Sequence, residues 1–322
     1  MTLSRTVITR ARASALVFGS AAFCALARSG WAQAGAALRV GTILIEPGAE
    51  GYFAQDMGFF AKAGLTVDLQ PFDTGPAIAA AVISNALDIG FGTVDAIAAI
   101  HQKNVPLVLI APAAEYVSPT TQNTSAFMVP QSSPAQTGKD HKAKTVAVIA
   151  LNGLTHTAAR AWIDQSGGDS STAKFIEIPP PLMAGALAAG RVDAAWVTEP
   201  FLTAAKKSAR VLVYGFDVIG KRFALNAWFT TRAWAQDHPD IVKRFAATMR
   251  ETATWANAND AASATIVAKY TKIDPAVIAT ITRSHYADVL TPALLQPLID
   301  VSAKYGAFTP FPAQELIYTP PR

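Results

Sequence analysis

The sequence predicts an α/β fold built from two related lobes, and three observations lead there. Short runs rich in β-branched residues alternate with helix-length stretches along most of the chain, the order that parallel sheets with right-handed crossovers produce. The stretch NALDIGFGTVDAIAA (85–99) returns 105 residues later as GRVDAAWVTEPFLTA (190–204), placing Asp88 over Asp193 and Thr93 over Thr198. Immediately upstream, GPAIAAAVIS (75–84) lies over PPLMAGALAA (180–189) without a gap.

The repeated unit reads as helix, strand, helix. Pro76 and Pro181 suit a first helical turn, where a missing N–H loses no bond. Small and apolar residues follow at 77–83 and 182–188, and Asn85 and Gly190 are the residue types that best take the left-handed stop after a helix. Buried strands are expected at 87–91 and 192–197, each turning into another helix.

The segments before each copy follow one plan. In the first half LRVGTILI (38–45) is a strand, GYFAQDMGFFAKAG (51–64) a helix stopped by Gly64, and LTVDLQPF (65–72) a strand. In the second half KTVAVIAL (144–151), THTAARAWIDQSGG (155–168) and AKFIEI (173–178) take the same roles. Between the halves, 106–112 and 125–130 read as strands and 131–142 as a surface loop. After the second copy, 209–219 and 223–231 read as extended segments; these are either two crossings that join the lobes as a hinge or ordinary edge strands, and the sequence fits both. The remainder is helical. Asp237 with Pro239 opens a helix striped by Ile241, Phe245, Met249 and Trp255; Asp274-Pro275 opens a second, and Thr291-Pro292 a third that stops at Gly306. These helices are expected to pack on the first lobe.

The first 34 residues read as a secretory signal peptide. Arg5, Arg10 and Arg12 form a basic head, 13–27 is uncharged and too short to span a bilayer, and Ala32-Gln33-Ala34 supplies the small residues of a cleavage site. Four of the chain's 27 basic residues and none of its 23 acidic ones lie there, so the rest balances at 23 of each. A neutral chain without a block of like charge has no phosphate-tracking surface, which argues against nucleic acid. The one cysteine, Cys24, is in the leader. Disulfides, thiolate nucleophiles and zinc–cysteine sites are therefore excluded from the rest. The histidines are scattered without an i, i+4 pair, and no metal site is expected.

In parallel α/β sheets the ligand crevice lies outside the carboxyl ends of the strands, where helix starts point free N–H groups. That rule selects the turns at 46–50, 73–76, 93–95, 152–157, 179–181 and 198–201. If the lobes face one another, each copy of the repeat builds one side of a shared cleft.

The motifs GYFAQDMGFFAKAGLTVDL (51–69), NALDIGFGT (85–93), AGRVDAAWVTEPF (189–201) and HPDIVKRFAATM (238–249) together resemble the NMT1/THI5-like periplasmic solute-binding proteins of ABC importers. The resemblance covers nearly all of the chain beyond the leader. It implies a type II periplasmic-binding fold, with 35–118 and 222–322 in lobe I and 119–221 in lobe II, closing on a small-molecule ligand. It also implies a monomer without cofactor that delivers its ligand to an ABC permease and the permease's ATPase. Relatives serve nitrate, taurine, alkanesulfonates and pyrimidine precursors, so the family does not fix the ligand.

The candidate ligand contacts are Glu46, Pro47, Asp73, Thr74, Gly75, Thr93, Asp95, Thr155, His156, Glu199, Asn226 and Trp228. The crevice turns carry Glu46, Glu50, Asp73, Asp95, Glu199 and His156 but no lysine or arginine, so an anion would rely on helix starts and on hydroxyls such as Thr74, Thr93 and Thr155. The carboxylates lean the reading towards a neutral or amine-bearing heterocycle, stacked on Trp196, Phe201, Tyr52 or Trp228. Blander roles compete: Asp88 and Asp193 are expected to bond local backbone, Glu199 to cap the helix after it, and His156 to sit in a capping turn. An enzyme on the same fold, of the pyrimidine-precursor type, and a ligand-sensing module are the rival functions. No Ser/His/Asp order, nucleotide-binding glycine loop or paired-histidine motif supports the former.

Overall fold

A computed structural model of the protein describes residues 37–320; the expected signal peptide lies outside them. In chain order the elements are β1 (Leu38–Ile43), α1 (Glu50–Asp56), α2 (Phe59–Lys62), β2 (Val67–Phe72), α3 (Gly75–Ile83), β3 (Ile89–Thr93), α4 (Val94–His101), β4 (Leu107–Pro112) and β5 (Ala114–Val117). The chain continues through β6 (Ser125–Pro130), β7 (Thr145–Val148), α5 (Leu154–Gln165), β8 (Lys174–Glu177), α6 (Pro180–Ala188), β9 (Ala194–Thr198), α7 (Phe201–Ala205) and β10 (Ala209–Tyr214). It returns through β11 (Arg222–Ala224) and β12 (Asn226–Thr231) to α8 (Arg232–Asp237), α9 (Pro239–Ala258), α10 (Asp260–Thr271), α11 (Pro275–Ile278), β13 (His285–Tyr286) and α12 (Pro292–Lys304).

Two five-stranded sheets form, in the orders β2-β1-β3-β12-β4 and β8-β7-β9-β6-β10. Read in this direction they are the same sheet twice. Three strands run parallel in each, and the fourth, β12 or β6, lies antiparallel to its neighbours. The sheets are therefore mixed rather than parallel throughout. The reason is directional: the parallel strands run towards the other lobe, while β6 and β12 are the strands by which the chain enters each sheet from that lobe, and an entering strand must run the opposite way.

The crossings themselves pair. β5 and β11 are antiparallel neighbours in a three-stranded sheet completed by β13. The buried Glu115 on β5 clamps it, with Arg222 Nε at 3.0 Å from β11 and His285 Nδ1 at 3.0 Å from β13. Burial pushes the Glu115 carboxyl up, but the hydrogen bonds from His285 and Arg222 outweigh it and hold the group below its ordinary value.

The repeat is visible in backbone detail. Asn85 and Gly190 both take positive φ, at 59° and 64°, ending α3 and α6. Asp88 and Asp193 then tie the following strand to the first strand of their own lobe: Arg39 N–H donates to Asp88 Oδ2 and Thr145 N–H to Asp193 Oδ2, both at 2.8 Å. The acceptor was expected to serve adjacent backbone; it serves backbone 49 and 48 residues away.

Four features differ from expectation. The helix expected at 51–64 breaks into α1 and α2 because Gly58 turns left-handed, at φ 73°. The strand β5 and the helix α10 were not anticipated, and the segment 209–219 leaves extended structure after Tyr214. The apolar core is continuous through the first sheet, its covering helices and one face of the second; the other face of the second sheet has its own cluster around Met183, Leu187 and Leu202. Phe245 and Met249 of α9 are fully buried on the first lobe, whereas α12 also reaches α5 of the second, where Thr157 Oγ and Ser302 Oγ lie 3.1 Å apart.

Candidate functional site

A cavity of about 190 Å³ lies between the two sheets. Its wall takes Ile43, Ile45, Pro47, Gly75, Pro76, Phe91 and Thr93 from the strand ends and helix starts of lobe I. Lobe II contributes the turn from Ile149 to Thr155, together with Thr198 and Phe216. Leu225 and Asn226, where the returning chain enters β12, complete it. Thr93 and Thr198, equivalent in the two copies of the repeat, both reach this wall. Each ends a strand, and the strands point at one another's lobe.

Two helices open on the cavity. Gly75 begins α3, and Leu154 and Thr155 begin α5. Amides in a first helical turn have no acceptor within their helix, and the partial positive charge of the helix start adds to them. The turn before α5 is held by its own side chains. Ile149 N–H donates to Thr155 Oγ at 3.0 Å, Asn152 N–H to His156 Nδ1 at 3.0 Å, and Leu151 N–H to Glu177 Oε1 at 2.7 Å. Accepting at Nδ1 requires a neutral His156 ring, and burial lowers its pKa from 6.5 to about 4.

Asn226 stands out on this wall. It is 3% exposed, its carboxamide takes part in no hydrogen bond among the described residues, and it borders the cavity. A buried carboxamide forgoes up to four hydrogen bonds unless something supplies them.

Of the twelve sequence candidates, Pro47, Gly75, Thr93, Thr155 and Asn226 border the cavity. The carboxylates do not. Glu46 is fully buried and turned towards the C-terminal segment, where Arg283 NH2 lies 3.0 Å from Oε1 and Ser284 N–H donates to Oε2 at 2.8 Å. Asp95 is fully buried in the first turn of α4, accepting from Thr157 Oγ at 3.1 Å and Ser302 Oγ at 3.2 Å; burial raises its pKa from 3.8 to about 6. Glu199 caps α7, with Oε2 accepting from Thr203 N–H at 3.0 Å and Oε1 from Thr203 Oγ at 2.7 Å. Burial raises its pKa as well. Asp73 is exposed ahead of α3, and Thr74 half-buried beside it. His156 braces the turn and packs edge-on to Phe175. Trp228 is wholly buried, donating Nε1–H to Glu50 Oε2 at 2.8 Å and packing on Phe91 and Phe245. The lean towards an amine-bearing guest rested on five carboxylates, of which four are spent inside the protein and the fifth, the exposed Asp73, does not border the cavity. Glu50 is one of the four, its pKa raised well above the usual range by burial.

The wall holds residues the sequence reading passed over. α4 presents Ala96, Ile97 and Ile100, continued at the same three-residue spacing by Lys103 in the turn after the helix, with Ala99 beside them. The spacing was legible, but it reads equally as a core-facing stripe. Phe91, Leu154 and Phe216 are likewise apolar groups whose placement depends on the other lobe. Trp196 lies behind Phe216, stacked at 5.5 Å. Among the described residues no group of acids, histidines or cysteines could hold a metal ion.

Comparison with known proteins agrees with this architecture. A family model described as the NMT1-like family matches residues 32–271. The taurine-binding periplasmic protein of Escherichia coli (strain K12) is 28% identical over 193 residues, 59% of this chain and 58% of that protein, so the match spans a little over half of that relative. Among solved structures, the periplasmic aliphatic sulphonate binding protein SsuA of Escherichia coli superposes with a TM-score of 0.69 at 20% identity, covering 88% of this chain and 97% of that one. The alkanesulfonate-binding protein SsuA of Xanthomonas axonopodis pv. citri, bound to MOPS, gives 0.72 at 19% identity, with 88% and 98% covered. The periplasmic nitrate-binding protein NrtA of Synechocystis PCC 6803 gives 0.73 at 15%, with 87% and 84% covered. At these identities the likeness is one of fold, a two-lobe type II periplasmic-binding fold.

Proposed function

This chain belongs to the NMT1-like family, and from that membership and its cavity we propose that it is the extracytoplasmic binding component of an ABC importer for a small organic anion. The observation that carries the reading is the convergence of two helix starts, one from each lobe, on a cavity whose wall, among the described residues, contains no carboxylate. Positive helix ends and unpaired amides favour a negative group between them. A guest touching α3 and α5 at once draws the lobes together, and closure is the event a membrane permease with its ATPase would read. Its volume falls below the roughly 300–1,000 Å³ of typical ligand pockets, which suits a compact solute.

The proposed contacts are the amides of Gly75, Leu154 and Thr155, the hydroxyls of Thr93 and Thr198, and the carboxamide of Asn226; the reading is of capture and release without chemistry. The similarity to proteins named for binding taurine, sulfonates and nitrate supports an anion. Export by the segment 1–34 and work outside the inner membrane belong to the same proposal; among the described residues no helix is long and apolar enough to cross a membrane.

A thermal-shift panel of sulfonates, carboxylates, nitrate, pyrimidines and amines tests it. A ligand at a hundred times its dissociation constant adds about 2.7 kcal/mol. Stabilisation confined to anions is the expected result. Stabilisation by amines or neutral pyrimidines in preference to anions would remove the assignment.

A further inference from the structure

The guest's other end is also constrained. Beyond the helix starts the wall is mostly apolar, with Ile43, Ile45 and Phe91 from lobe I and Ile149, Leu154 and Phe216 from lobe II or the returning crossing; Thr124, Asn152, Thr198 and Asn226 are its uncharged polar side chains. Along α4, Ala96, Ile97 and Ile100 carry this surface about 6 Å further at 1.5 Å per residue, and Lys103 follows in the turn after the helix. Among the residues that border the cavity Lys103 is the one charged group, and it stands at the end of the stripe away from the helix starts.

An ammonium group placed along this stripe loses its hydration and meets, among the described residues, no carboxylate and a lysine of its own sign. Burying an unpaired charge in apolar surroundings is among the costliest things a site can do, and like charge adds to the cost. A methyl group in the same position meets Ala96, Ile97 and Ile100 and gains by burial. The aromatic rings at hand, Phe91 and Phe216, offer a cation–π contact worth far less than the hydration lost. The five acids near the crevice cannot rescue the cation, because each is engaged elsewhere or lies outside the wall: Glu46 by Arg283, Glu50 by Trp228, Asp95 by Thr157 and Ser302, Glu199 by Thr203, with Asp73 exposed ahead of α3.

We propose that this site selects an anion with an uncharged, apolar body and excludes the zwitterion of the same size that carries an ammonium group opposite the acid. The inference rests on the anionic reading above and narrows it. It also separates this chain from the relative named for taurine, which is such a zwitterion.

Isothermal titration of the purified protein with 1-propanesulfonate, taurine and propylamine tests it, since the first two differ by methyl against ammonium at one end. Propanesulfonate is expected to bind about 100-fold more tightly than taurine, the order of effect an unpaired buried charge produces, with propylamine giving no heat. A taurine affinity within tenfold of propanesulfonate, or better, overturns the exclusion and leaves the anion site standing. Propylamine binding more tightly than either sulfonate, or neither sulfonate binding at all, overturns the anionic reading and this inference with it.

Discussion

In the first copy of the repeat, Thr93 hands the chain to α4, and a whole face of that helix becomes cavity wall. In the second, Thr198 hands it to Glu199, whose carboxylate folds back on Thr203 to cap α7, and the wall passes instead to the turn before α5. The strand positions, the left-handed stops at Asn85 and Gly190 and the tying aspartates are shared; the chemistry presented to the cleft is not. Duplication places loops on both sides of a gap, and what each loop offers depends on whether its polar groups find partners at home.

The sharpest way to break that contrast is at the floor, where a polar group has no partner at home. Asn226→Leu keeps the branched shape, adds bulk only towards the cavity and removes no internal hydrogen bond, so the melting temperature should hold while affinity for the bound anion falls about 100-fold, roughly 2.7 kcal/mol. Titration calorimetry beside a thermal melt checks both halves. Unchanged affinity would take the carboxamide out of the site.

Asp95 tests the opposite case, a carboxylate wholly consumed behind the wall. Its folded pKa of about 6 stands above the ordinary 3.8. Between those values the native protein keeps a proton that the unfolded chain has lost. The contribution is therefore complete below pH 3.8 and is lost as pH rises to about 6, about 3 kcal/mol for a shift of this size at 1.36 kcal/mol per unit. Asp95→Asn is expected to raise stability at pH 7.5 by roughly 1–3 kcal/mol and to flatten the profile, as measured by denaturant unfolding. His156 carries the other sign. Its pKa is lowered from 6.5 to about 4, so its contribution is present above 6.5 and lost as pH falls through that window. His156→Gln should remove that acid-side loss.

The paired aspartates measure how unequal the two copies are. Asp88 has a side chain 14% exposed and takes both Arg39 N–H and the Arg39 guanidinium, whereas Asp193 is 41% exposed and shares its bonds with Lys144. Asp88→Ala should cost about 2 kcal/mol and Asp193→Ala about 1 kcal/mol. Equal losses would mean that exposure does not separate them. The smallest effect belongs to Glu199→Gln, which leaves the wall untouched and should change affinity by no more than about twofold; a tenfold loss would bring that carboxylate back into the site.

The pattern of these residues explains what the sequence disclosed. The lobes, their repeat and most strands were legible because apolar periodicity and stop residues act locally: Pro76 and Pro181 start helices, Asn85 and Gly190 stop them, whatever lies across the cleft. The turns bordering the cleft were legible for the same reason, through the rule that strand ends face it. The orientation of each side chain on those turns was not. Glu46 turns away because Arg283, 237 residues later, is buried beside it, and Asp95 because Thr157 and Ser302 converge on it from two other helices. A carboxylate in a crevice turn looks the same in sequence whether its partner is a guest or a distant residue of its own chain. Lys103 and the α4 stripe were hidden by the converse ambiguity, since an apolar helix face gives no sign of whether it meets core or cavity.

A crystal structure of the protein with the tightest-binding anion of the panel tests the central claim most directly. The account predicts the acid oxygens about 3 Å from the amides of Leu154 and Thr155 and from the Asn226 carboxamide, with the body of the guest along α4. A guest bound outside this cavity, or one held by Glu46, Asp95 or Glu199 turned back into it, would contradict it.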